Sequence, residues 1–168
     1  MNLGWSLAYG GINTFSVAFL KVQTAMMDST ILYVCSVFFI GSLASLWFGH
    51  RMDRLGSKPV MIFAAIGYIM IVSLWALLAA EALLPGPFLI LGLQFAMGLS
   101  AAVFNMANIR LSMVITPEMG RNHFFALFSV VANLSLGLSP VLWGAFIDLF
   151  RDLDAATGNF LWNQYTPF

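Results

Sequence analysis

Charge is scarce in this sequence: only 8% of its 168 residues are Asp, Glu, Lys or Arg, against about 25% in an ordinary soluble domain. So few charges cannot cover a globule of this size with a hydrated surface. Seven basic and seven acidic residues give a formal net charge of zero, so the chain has no basic face for nucleic acid, and that class of partner is excluded. Cysteine occurs once, as Cys35 inside an apolar run, which rules out an intrachain disulfide or a cysteine metal cluster. The two histidines, His50 and His123, have no ligand partner at metal spacing. A glycine loop for phosphate is missing, and Gly41-Ser42 lacks the G-x-S-x-G context of a hydrolase nucleophile. No cofactor and no enzymatic chemistry, intramembrane hydrolysis included, is expected.

Apolar residues fill the space that charge leaves. They make up 61% of the chain, and Phe alone occurs 16 times. Five apolar runs stand out, over 3–20, 30–48, 59–80, 88–115 and 124–150, separated by short segments that hold most of the charges. A crossing needs roughly 20 apolar residues, and each run is long enough. Backbone groups find no water in the bilayer core, and the alternation of barrel strands is absent, so each run is expected to be a helix. The predicted fold is all-α, a single membrane domain over 1–168 with five spans. The first positive charge, Lys21, follows the first run instead of preceding it, so that run is a retained span and not a secretory signal. Ser139-Pro140 is the expected kink of the fifth span.

Loop charges set the orientation. Arg51, Arg54 and Lys58 lie between spans two and three, and Arg121 between four and five, with Arg110 near that end of span four. The other side has Lys21 and Arg151. The positive-inside rule therefore puts the N-terminus in the cytoplasm, with a plasma (inner) membrane as the expected location. An odd number of spans leaves 151–168 outside as an interfacial tail. Its Phe160, Trp162, Tyr165 and Phe168 suit the headgroup level, where the tail either lies flat or leads into a sixth span.

The most specific segment is Gly49-His50-Arg51-Met52-Asp53-Arg54-Leu55-Gly56-Ser57-Lys58, expected to be a tight turn between spans two and three. Its glycines permit close approach and unusual dihedrals. Asp53 can accept hydrogen bonds from a helix N-terminus, and Arg54 and Lys58 supply counter-charge. The segment resembles the signature loop of the major facilitator superfamily, G-x-x-x-D-R-x-G-[RK]-[RK]. Gly49, Asp53, Arg54, Gly56 and Lys58 match that pattern, and Ser57 stands where a basic residue is usual. Thr116-Pro117-Glu118-Met119-Gly120-Arg121 resembles the family's loop between the fourth and fifth helices of a half. Gly137-Leu138-Ser139-Pro140 with Gly144 resembles the Gly-Pro-Gly region of the next helix. The resemblance implies a six-helix half lacking its last helix, with the C-terminal half favoured.

Polar residues recur at helical spacing on two runs. Ser6, Tyr9, Asn13, Ser16 and Gln23 fall on one face of the first, and Gln94, Gly98, Ala101, Asn105, Asn108 and Ser112 on one face of the fourth. In the family these helices line the central cavity, so the resemblance implies solute contacts at Tyr9, Asn13, Ser16, Gln94, Asn105 and Asn108. Amide and hydroxyl groups suit hydroxylated, zwitterionic or peptide-like solutes. The competing reading is interhelical hydrogen bonding. Gly41, Ser45 and Gly49 form a small-residue track on the second run that lets another helix approach. Arg110 lies on a different face of its run from the two asparagines and is expected to snorkel, or to pair with Glu118 or Asp53. The runs hold no acidic residue in their interiors. The expected partners are the lipid bilayer, a small-molecule solute and the other six-helix half. The function implied is secondary transport of a small solute by alternating access; the alternative is a non-transporting membrane binding or assembly subunit with the same bundle fold.

Overall fold

A computed structural model describes residues 2–22, 24, 26–116, 121–149, 155–157 and 160–162. Six helices follow in chain order: α1 (Asn2–Val22), α2 (Asp28–Ala44), α3 (Leu46–Leu55), α4 (Ser57–Ala79), α5 (Pro87–Ile115) and α6 (Arg121–Leu149). Two three-residue strands, β1 (Ala155–Thr157) and β2 (Phe160–Trp162), pair antiparallel with Ala155 opposite Trp162 and Thr157 opposite Phe160. Gly158-Asn159 separates them, a composition that favours short hairpins. Sequence reading of the tail did not anticipate this ribbon, because three-residue strands are too short to show a period.

The protein is an all-α membrane helix bundle. Asp28–Gly49, Ser57–Ala79, Pro87–Ile115 and Arg121–Phe146 are long and apolar enough to cross a bilayer. At 1.5 Å per residue, the 21 residues of α1 reach about 31 Å, which is also sufficient. α1 carries Ser6, Tyr9, Asn13, Thr14 and Ser16 within that length.

Contacts divide the chain into two units. In the first, α1 packs on α6. A Cβ on Gly10 would collide with Ser139, and one on Gly11 with the Trp143 ring, so only glycines allow this approach. The two α6 side chains converge on one acceptor: Ser139 Oγ and Trp143 Nε1 donate to the Leu7 carbonyl at 2.8 and 2.9 Å. The end of α4 brings Trp75, fully buried, edge-on to Phe15 and Phe19 with ring centroids 6.0 and 5.5 Å apart, a favoured aromatic geometry. α6 continues through Pro140. Proline has no N–H to give to Leu136, so one ladder bond is lost at the place where Ser139 turns to α1.

In the second unit α2 crosses α5 backbone to backbone. A Cβ on Gly41 would strike the Phe95 carbonyl, and one on Gly98 would strike the Phe38 carbonyl. Ser42 Oγ adds a bond to the Gly98 carbonyl at 3.3 Å. The small-residue track is thus used at Gly41 and ends at buried Ser45, whereas Gly49 meets nothing within 4 Å. α2 breaks at Ser45, whose N–H and Oγ both turn to the Ser42 carbonyl at 3.2 and 2.6 Å.

Candidate functional site

The polar face of α1 sorts by depth. Ser16 is fully buried and its hydroxyl donates to the Asn13 carbonyl at 2.9 Å, satisfying itself within the helix. Ser6 is buried, Tyr9 half-buried, and Asn13 exposed. Thr14 Oγ1 bonds the Gly10 carbonyl at 2.9 Å, which keeps a second hydroxyl inside its own helix. Asn13 thus presents an exposed amide and Tyr9 a half-buried phenol. Gln23 lies outside the described residues.

On α5, within its own unit, the predicted stripe divides. Gln94 is 1% exposed and its Oε1 finds no hydrogen-bond donor among the described residues. Asn108 is buried, Ala101 is buried, and Gly98 is the point where α2 crosses. Asn105 alone of the named site residues on this helix is exposed. The regular spacing placed these residues along one side of the helix. It could not say that α2 covers part of that face, because the covering depends on Gly41 and Phe38 more than fifty residues earlier. The clasp of Ser139 and Trp143 on Leu7 was also missed, although adjacent Gly10-Gly11 in an apolar helix was a signal for close approach.

The predicted tight turn at Gly49–Lys58 needs correction. Residues 46–55 are helical, so α3 continues the preceding span, and only Gly56 interrupts the helix before α4 begins at Ser57. Gly56 takes φ +82°, a left-handed conformation that ends a helix cheaply only at glycine. His50 to Leu55 contain no breaker, so nothing prevents helix up to that point. Gly56, Arg54 and Lys58 are exposed, which leaves both cations available to an acidic partner. The side chain of Asp53 lies outside the described residues, as does Glu118, so the proposed pairings of Arg110 involve groups beyond those described. Arg110 itself is exposed.

No curated protein and no solved structure matches the chain. Residues 2–162 match the family described as Major Facilitator Superfamily, which takes in all six helices and both strands. The chain belongs to the major facilitator superfamily of membrane transporters.

Proposed function

We propose that the chain works as one half of a secondary transporter that carries a small polar solute by alternating access, with solute contacts made by Asn13 and Tyr9 on α1 and by Asn105 on α5. The family match over residues 2–162 carries the reading. Exposure of Asn13 and Asn105 on long membrane helices supports it, since polar side chains in spans concentrate where water or solute reaches them. Ser16 and Asn108, both buried, serve helix packing in this reading. Gln94 remains a candidate contact because its carbonyl oxygen is unmatched. The other half completes the transporter. The N-terminus is cytoplasmic in a plasma membrane, and Gly49, Asp53, Arg54, Gly56 and Lys58 form a gating latch on that side.

The test is accessibility in the complete transporter. With Cys35→Ser as background, Asn13→Cys and Asn105→Cys should react with a small hydrophilic thiol reagent, and Ile69→Cys, at an exposed apolar position of α4, should not. Equal inertness at all three positions would return the amides to a packing role and favour the non-transporting alternative.

A further inference from the structure

Nine serine and threonine hydroxyls among the described residues donate to a carbonyl three or four residues earlier, Ser16 to Asn13 and Ser135 to Val131 among them. A hydroxyl in a span is ordinarily satisfied in this way, because no water reaches it. Ser139, fully buried, departs from the habit: its Oγ crosses to the Leu7 carbonyl of α1 at 2.8 Å, beside the bond from Trp143 Nε1 at 2.9 Å.

The two carbonyls within reach of that hydroxyl are unequally supplied. Leu7 lies inside α1, so its carbonyl is already the ladder acceptor of the Gly11 N–H. With Ser139 and Trp143 added, more donors converge on it than a carbonyl oxygen has lone pairs. On α6 the supply is reversed. Pro140 stands inside this helix and brings no N–H to the Leu136 carbonyl, which keeps an acceptor position that bilayer hydrocarbon cannot fill. Leu136 precedes Ser139 by three residues, the spacing of the Ser16–Asn13 and Ser45–Ser42 bonds, which are made at 2.9 and 2.6 Å. Rotation about χ1 carries the hydroxyl from one acceptor to the other.

We infer that Ser139 is a two-position hydrogen-bond switch, tying α6 to α1 when it donates to Leu7 and releasing α1 when it donates to Leu136. A hydroxyl turned back on its own helix bends that helix, and α1 is then held at Leu7 by Trp143 alone. The bond is exchanged and not lost, so neither position leaves the hydroxyl unmatched in the membrane. Because α1 carries Asn13, the switch is a place where α1 loosens from α6 during alternating access; this last step rests on the function proposed above, whereas the switch itself does not.

Hydrogen exchange of the complete protein in lipid nanodiscs, read on the α1 peptide covering residues 7–14, tests the switch. Pro140→Ala supplies the missing N–H, occupies the Leu136 carbonyl and keeps Ser139 on Leu7, so exchange in that peptide should slow roughly five-fold, the worth of about one net hydrogen bond. Ser139→Ala should speed it. The double variant should match Ser139→Ala alone, because residue 140 acts on α1 only through that hydroxyl. Unchanged α1 exchange in Pro140→Ala, or a Pro140→Ala effect that persists without Ser139, would overturn the switch and leave a fixed clasp. Exchange in the expected order with an unreactive Asn13→Cys would support the switch and defeat the transport reading, whereas a reactive Asn13→Cys with α1 exchange unchanged in Pro140→Ala would overturn the switch alone.

Discussion

Gln94 holds a carbonyl oxygen where no described donor reaches it, at 1% exposure. A buried acceptor in that state costs about 1–3 kcal/mol. Replacing it by an apolar side chain of similar size should remove the cost, so Gln94→Leu is expected to raise the thermal unfolding midpoint in detergent. If Gln94 receives a donor from solute, the same substitution weakens solute binding; if it does not, binding is untouched. Glu81 presents a second residue-scale cost. It has φ +56°, and the bonds Glu81 N–H to Leu78 and Ala82 N–H to Leu77 close α4 in the pattern that usually employs glycine. Glu81→Gly should therefore stabilise the protein by about 1 kcal/mol, and Gly56→Ala should destabilise it by about as much, both read as shifts in unfolding temperature.

At the scale of elements, both tight helix pairs depend on glycine. In the α2–α5 crossing the Phe38 and Phe95 carbonyls lie over Gly98 and Gly41, a geometry suited to Cα–H···O contacts and impossible with larger residues. Gly98→Leu should separate the two helices and lower stability by roughly 1–3 kcal/mol, whereas Gly49→Leu, at an open position, should have little effect. This difference shows what was legible in the sequence. Apolar runs located α1, α2, α4, α5 and α6, because span length and lack of charge are local properties. The helical state of residues 46–55 was obscured by glycine at 49 and 56, which look alike in sequence, yet only Gly56 has a positive φ. Polar periodicity marks a line of residues along α1 and another along α5, but burial of Gln94 and Asn108 depends on distant packing partners that no period can show. Of the predicted contacts, Asn13 and Asn105 are exposed and Tyr9 is half-buried.

For the whole molecule, orientation and mechanism are joined by the basic loops. The proposed orientation, with Arg51, Arg54 and Lys58 in the cytoplasm, predicts that, in a Cys35→Ser background, an impermeant thiol reagent added outside labels Asn159→Cys but not Ser57→Cys. Labelling at 57 from outside would reverse the orientation. Alternating access makes a stronger demand, since one position on α1 must be reached from both sides in turn. The proposed gating latch gives the lever: were Asp53 to accept a charge-assisted hydrogen bond there, Asp53→Asn would keep the shape and weaken a bond of about 1.5–3 kcal/mol, enough to shift a balanced conformational equilibrium roughly ten-fold or more. The direct measurement is the labelling rate of Asn13→Cys in the complete transporter, with impermeant reagent applied first to one face of the membrane and then to the other. The expected result is reaction from both faces, with the ratio of the two rates changed roughly ten-fold by Asp53→Asn. Reaction from neither face, or from one face only with no response to Asp53→Asn, would contradict transport by alternating access through the polar face of α1.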